Sequence, residues 1–371
     1  MADELKKTPL NAVHRALGGR MVDFGGWDMP VQYTAGVIEE HMRCRTKAAL
    51  FDVSHMGEIW VDGPDAVPFI NRLTTNDVRS LVDGQAHYSA LTNDEGGVVD
   101  DLLVYRFGPE KLLLVVNAAT TEKDWDWINS RHSEDDHCTL TNASGEFCQI
   151  AIQGPDALGI LQQMTETDLS SIKYYHFKEG WVDGAEAIIS RTGYTGEDGF
   201  EVYADPSCAE QLWNKILELG RYGQPDGIVP GGLAARNTLR LESAMSLYGH
   251  ELGDDITPYE ANLGWIVKLQ KGTFTGCGRL QKQKEEGLKR KLVGFEMTEP
   301  GIARDGCDVY ISGEKHGIVT SGSPAPFLKK NIGLAFVPFD FANDGQEIKI
   351  DVRGKQIAAR IVRTPFYKRQ K

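Results

Sequence analysis

Arg191-Thr192-Gly193-Tyr194-Thr195-Gly196-Glu197-Asp198-Gly199-Phe200-Glu201 joins two apolar runs, 185–190 and 200–203, that read as strands. A hairpin needs only a two- to five-residue turn, and Asp198-Gly199 would supply one. This segment adds three glycines, an aromatic ring and three carboxylates. Tyr194, Glu197 and Glu201 are therefore surplus to turn-making. They are either the solvated polar residues of a long hairpin or a loop that presents chemistry to a ligand.

The rest of the chain sets the scale. At 371 residues it exceeds what one hydrophobic core usually serves, which predicts two or three domains. Composition is that of an ordinary globular protein, and the net charge of −13 argues against general nucleic-acid binding. The clearest local basic clusters are Lys289-Arg290-Lys291 and, in the tail, Lys368, Arg369 and Lys371. Six cysteines, none in a C-x-x-C pair, fit neither a zinc site nor a disulfide framework. Residues 1–7 hold no apolar run and no Arg, and no stretch approaches membrane-span length. The expectation is a cytoplasmic protein that binds neither membrane nor nucleic acid.

Helical spacing predicts helices over 37–46, 65–73, 121–130, 157–164, 208–219 and 234–241, with short strands at 112–116 and 149–152. The mixture lacks a strict βαβ rhythm and reads as α+β. After Gly276 the composition shifts. A charged, helical connector is expected over 281–291, followed by strands at 292–297, 308–311, 317–321, 333–337, 347–352 and 356–362. Six short strands at even spacing predict a small antiparallel barrel or sandwich. The domain boundary is expected near 280–290, giving regions 1–280 and 281–371. No G-x-G-x-x-G follows a first strand, so no nicotinamide or flavin domain is expected, and no His/Cys/Asp/Glu cluster has metal-ligand spacing. Gly231-Gly232 before a helix lacks the Lys-Ser/Thr of a phosphate loop.

Five segments in order carry a resemblance: Met21-Val22-Asp23-Phe24-Gly25-Gly26-Trp27, Phe51-Asp52-Val53-Ser54-His55-Met56, Gly96-Gly97-Val98-Val99-Asp100-Asp101-Leu102, the Arg191–Glu201 loop, and Gly232-Leu233-Ala234-Ala235-Arg236-Asn237-Thr238-Leu239-Arg240-Leu241-Glu242. Together they resemble the T-protein of the glycine cleavage system, the tetrahydrofolate-dependent aminomethyltransferase. The resemblance implies that 1–280 is a folate-binding region of two interleaved α+β subdomains and that 281–371 is a C-terminal β-barrel domain. It implies transfer of an aminomethyl group from the lipoyl arm of the partner H-protein to tetrahydrofolate, with release of ammonia and formation of 5,10-methylenetetrahydrofolate.

Strand alternation sets Asp100 and Asp101 on opposite faces, so one of the two faces a pocket or both cap the preceding turn. In the family the second Asp faces the folate, which makes Asp101 the catalytic candidate here. A fixed carboxylate hydrogen-bonds the accepting amine, polarises it and stabilises positive charge during transfer. Glu201 matches the pterin-facing glutamate, a carboxylate suited to the paired N–H donors of the amino-pyrimidine edge. Tyr194, Tyr88 and Trp265 match ring-contacting aromatics, and Met56 and Asn117 match further pocket positions. Arg236 offers a donor fork suited to a carboxylate. The Asp that usually follows it is Asn237 here. His55 has no nucleophile beside it and is expected to be structural or to stand behind the residues that meet the ligand.

Two rivals share the scaffold. A folate-dependent demethylase would keep the fold and change the substrate mouth. A non-enzymatic folate-binding protein of iron–sulfur assembly carries Lys-Gly-Cys-Tyr-x-Gly-Gln-Glu, whereas this chain reads Lys271-Gly272-Thr273-Phe274-Thr275-Gly276-Cys277-Gly278. H-proteins of this family are acidic, so docking on an acidic enzyme calls for a local positive patch, and Lys289-Arg290-Lys291 is the favoured one.

Overall fold

The computed structural model describes residues 4–369, so Lys371 of the basic tail and the first three residues lie outside it. Two compact units divide the chain: Met1–Phe69 with Arg79–His87 and Leu103–Asn237, and Ile70–Val78 with Tyr88–Leu102 and Thr238–Lys371. The fold is mixed α+β and ends in a closed, six-stranded antiparallel barrel. Among the described residues no helix is long and apolar enough to cross a membrane.

The first unit is built around a six-stranded sheet. Its order is Phe177–Val182, Ala185–Ser190, Gly199–Ala204, Cys148–Gln153, Ala49–Asp52 and Val229–Pro230. All pairs are antiparallel except the last, where Val229 and Pro230 run parallel to Ala49 and Leu50. Gly199–Ala204 and Cys148–Gln153 are buried throughout, so both faces of the sheet are covered. On one face Phe200, Val202, Ile150 and Ile152 join Leu212, Trp213 and Ile216 of the Ala209–Leu219 helix in one core. Alternation puts Glu201, Tyr203 and Gln149 on the other face. There Tyr203 packs with Tyr105, Leu113 and Val115.

The 37–46 and 121–130 helices form over the expected residues, Val37–Thr46 and Thr121–Ser130. The 65–73 helix forms as Ala66–Leu73, and the 157–164 run ends in a 3-10 turn after Leu161. The amino-terminal helix Asn11–Ala16 is tied down by a buried relay: Tyr33 Oη to His14 Nδ1 at 2.8 Å, then His14 Nε2 to Asp52 Oδ2 at 2.8 Å. Burial would raise the Asp52 carboxyl, but the bond and charge of His14, with Ser54 and Thr8, outweigh it and hold it at about 2.

In the second unit the barrel order is Arg290–Met297, Lys330–Pro338, Glu314–Ala325, Asp308–Ile311, Glu347–Val352 and Lys355–Val362, closing on itself. All six expected strands form, and closure removes the exposed edges. Phe295, Val309, Ile350, Ala335 and Ile361 fill the barrel interior. The alternate residues Leu292, Ile332, Leu334 and Phe336 join Leu241, Ile256, Ile266, Phe274 and Leu280 in a second core. The connector differs from expectation: the helix runs Cys277–Glu286, and Arg290 and Lys291 already belong to a barrel strand. Leu280 draws the helix start toward this second core, and Gly287 ends it at positive φ.

Two buried cations organise the irregular parts of this unit. Lys271 donates to the carbonyls of Asn71, Thr74 and, at 2.7 Å, Asn76, holding the end of the Ala66–Leu73 helix. Arg240 bonds Glu251 at 2.9 Å and Ser321 of the barrel at 2.8 Å, and Ser321 also donates to Glu251 at 2.6 Å.

Candidate functional site

The eight sequence-derived candidates divide between the units. Tyr88, Asp101 and Trp265 belong to the second; Met56, Asn117, Tyr194, Glu201 and Arg236 belong to the first.

Asp101 lies on the strand Val98–Gly108, where Asp100 is fully buried and Asp101 half-buried, as alternation requires. The strand is entered through a turn in which Asn93 Oδ1 accepts from the Gly97 amide at 2.9 Å. A Cβ at Gly97 would stand 1.8 Å from the Asp254 carbonyl, so only glycine lets the two backbones meet here. Asp100 turns back to accept from the Asp101 amide at 2.8 Å. The Tyr88 hydroxyl donates to Asp101 Oδ2 at 2.8 Å and fixes that carboxylate. The Tyr88 ring in turn stacks on Trp265, with centroids 6.0 Å apart and planes at 25°. Trp265 is 58% exposed, unusual for so large an apolar ring. A carboxylate, the phenol that holds it and an open aromatic shelf thus follow one another in contact.

In the first unit the Arg191–Glu201 loop is pinned at several points. Arg191 pairs with Asp198 through 3.0 and 2.5 Å bonds. Arg45 donates to the Thr195 carbonyl at 2.7 Å and to Glu197 at 3.0 Å. Glu197 is therefore a structural partner of Arg45, and the surplus chemistry of the loop falls to Tyr194 and Glu201. A Cβ on Gly193 would lie 2.0 Å from the Gln153 amide oxygen, which explains the glycine there. The Arg236 guanidinium sits 4.6 Å over the Tyr194 ring, a cation–π contact.

Glu201 is 7% exposed and held inside a hydrogen-bonded ring. Thr192 Oγ1 donates to Oε2, and Gln149 Nε2 donates to Oε1 at 3.2 Å and to the Tyr203 hydroxyl at 3.0 Å. Tyr203 meets Tyr105 at 3.1 Å, and Tyr105 meets Ser190 at 3.1 Å and Thr192 at 3.3 Å. Burial raises the Glu201 carboxyl, while Thr192, the Arg236 charge and Gln149 pull it back. Each carboxylate oxygen has acceptor capacity beyond its one donor. Gln149 Oε1, buried beside it, has no partner among the described residues. Unused acceptors in a buried layer suit a flat ring rich in N–H donors.

Met56 and Asn117 lie just outside two paired strands, next to the Gly57–Val116 pair that ends them. Next to Met56, His55 is buried against the edges of Phe24 and Trp27. Burial depresses its imidazole to about 4; Asp52 opposes this, and Arg236 and His14 add to it. With its imidazole so depressed, His55 is disfavoured as a cation at neutral pH. Gly231-Gly232 is not an anion cradle: Glu40 Oε2 already accepts from the Gly232 amide at 2.9 Å. Among the described residues no group of three or more His, Cys, Asp or Glu is placed to hold a metal ion.

Sequence reading missed Thr192, Gln149, Tyr105, Glu40 and Arg45. Tyr203 was recoverable, since it shares a strand face with Glu201 at a spacing of two. Nothing local links Arg45 to Glu197 or Glu40 to Gly232, because those contacts exist only once the sheet has formed.

Known proteins match over the same extent. The family profile described as the GCVT N-terminal domain covers residues 10–271, and that of the glycine cleavage T-protein C-terminal barrel domain covers 290–368. An aminomethyltransferase of Desulfitobacterium hafniense (strain Y51) is 53% identical over 99% of both chains. One from Acidobacterium capsulatum is 52% identical over 99% of this chain and 97% of its own. The crystal structure of glycine cleavage system aminomethyltransferase T from Bartonella henselae superposes with a TM-score of 0.91 at 33% identity, covering 98% of each chain. Matched in its leading region, in its barrel and along its full length, this chain belongs to the glycine cleavage T-protein family.

Proposed function

We propose that this chain is the tetrahydrofolate-dependent aminomethyltransferase of glycine cleavage. It takes the aminomethyl group from the lipoyl arm of an H-protein, leaves the arm as a dihydrolipoyl group, releases ammonia and forms 5,10-methylenetetrahydrofolate. Residues 1–280 are the folate-binding region and 281–371 the barrel domain of this reading. The observation that carries it is the half-buried Asp101 carboxylate held by Tyr88 beside the exposed Trp265 ring.

Tetrahydrofolate supplies the amine nitrogens that accept the one-carbon unit. Asp101 is the catalytic residue: it orients an amine N–H, offsets positive charge and holds a proton during release of ammonia. Tyr88 keeps the Oδ2 oxygen of Asp101 fixed. Glu201 accepts from the amino-pyrimidine edge, and its ring of donors keeps it oriented while excluding water. Tyr194 and Trp265 offer flat apolar faces, Met56 and Asn117 are further folate contacts in this reading, and Arg236 serves a folate carboxylate. Family membership and identity with named aminomethyltransferases support this reading over a demethylase.

Ammonia release from aminomethyl-loaded H-protein, assayed with and without tetrahydrofolate, tests it directly. Release that requires both partners is expected. Turnover of a methylated sulfonium substrate in its place would overturn the reading.

A further inference from the structure

We infer that the Val37–Thr46 helix is a two-point brace for the Tyr194–Arg236 pair, with Glu40 and Arg45 as its positioning residues. The inference rests on the reading of Tyr194 and Arg236 as folate contacts. Both helix residues are ionisable and almost fully enclosed, Glu40 at 0% and Arg45 at 4% exposure. Enclosing a charge is costly unless it is well paired, and such pairs add little net stability. Their geometry shows what they do instead.

Glu40 Oε1 accepts from the Tyr33 amide at 2.6 Å and Oε2 from the Gly232 amide at 2.9 Å. Gly232 begins the Leu233–Glu242 helix, and its carbonyl accepts from the Arg236 amide at 3.0 Å. Glu40 thus sets the start of the helix that carries Arg236, with its charge at the positive end of the dipole. Burial raises its carboxyl, and the two amide bonds partly offset that. Arg45 grips the other partner. Its bonds to the Thr195 carbonyl and to Glu197 fix the loop immediately after Tyr194. The chain of contacts closes on itself: Glu40, Gly232, Arg236, Tyr194, Thr195, Arg45. Moving either end of the brace opens the 4.6 Å cation–π contact.

Calorimetric binding of tetrahydrofolate to R45M, E40Q, E197Q and the R45M/E197Q double variant tests the brace, with melting temperatures of the free proteins in parallel. E197Q keeps the side-chain volume, so it remains informative should R45M fail to fold. Each single variant is expected to weaken binding roughly tenfold, because a charge-assisted bond is lost one step from the ligand. The R45M/E197Q double variant should lose no more than R45M alone, since both act through one contact. In turnover the loss should fall on KM for tetrahydrofolate rather than on kcat, and R45K should recover part of it. Lower melting temperatures with unchanged binding would overturn the inference and leave the helix a purely structural element. Y194A and R236A are the controls: if they weaken binding while the brace variants do not, only the brace fails. If they too bind normally, the reading of those two residues falls with it.

Discussion

The Tyr88 hydroxyl donates to Asp101 across 2.8 Å while the same ring stacks on Trp265, so one side chain couples the carboxylate to the aromatic shelf. Asp101→Asn keeps the shape and removes the charge. We expect kcat for aminomethyl transfer to fall about 10²–10⁴-fold, the usual worth of a positioned acid–base group. Tyr88→Phe keeps the ring and removes the orienting bond, and should cost roughly tenfold. Steady-state ammonia release measures both, and near-normal turnover of Asp101→Asn would take the catalytic role away from it.

Glu201→Gln addresses the buried donor ring. Tetrahydrofolate should raise the melting temperature of the wild-type protein, because a ligand that binds only the folded state stabilises it by mass action. The substitution removes a charged acceptor and should weaken binding by about 1–3 kcal/mol. An unchanged ligand-induced shift in that variant would place the pterin elsewhere.

Stability should fall in acid in two steps. The His55 imidazole is held at about 4 in the fold against 6.5 when free. Between those values the unfolded chain binds a proton that the native state refuses, so stability drops as pH falls through this window, by about 3 kcal/mol. Asp52 acts next: its folded value of about 2 lies below the usual carboxylate value of 3.8, so its contribution is lost as pH falls further. Glu201 acts in the opposite sense, because its raised carboxyl favours a protonated native state. Urea melts at a series of pH values should show the first step vanish in His55→Gln. A step that survives that substitution would belong to another group.

The barrel's first strand refines the expected docking patch. Arg290 is tied to Glu260 at 3.1 Å and to Asp255 at 3.5 Å and lies 5.2 Å over the Phe336 ring. Its charge is spent within the fold, which leaves Lys289 and Lys291 to meet an acidic carrier. Reversing both to Glu should raise KM for H-protein and flatten its salt dependence, with folate binding intact. Unchanged H-protein kinetics at low salt would move docking to another surface.

Much of this was readable in the chain itself. The barrel's six strands announced themselves through alternation and Gly/Asp turns, because each strand buries one face and the turns need glycine whatever the fold. The Val37–Thr46 helix and the strands flanking the glycine loop were legible for the same local reason. The two-residue period put Asp100 and Asp101 on opposite faces, and the family resemblance, not the period, singled out Asp101. What lay beyond sequence was every contact between segments far apart in the chain. Arg45 and Glu197 are 152 residues apart and Glu40 and Gly232 are 192 apart, and no periodicity encodes such pairs. The tertiary structure decided that Glu197 is a strut, that Glu201 sits in a ring of donors and that Lys271 caps a helix. Burial sets those roles, since a charge removed from water must take whatever partner the packing brings to it.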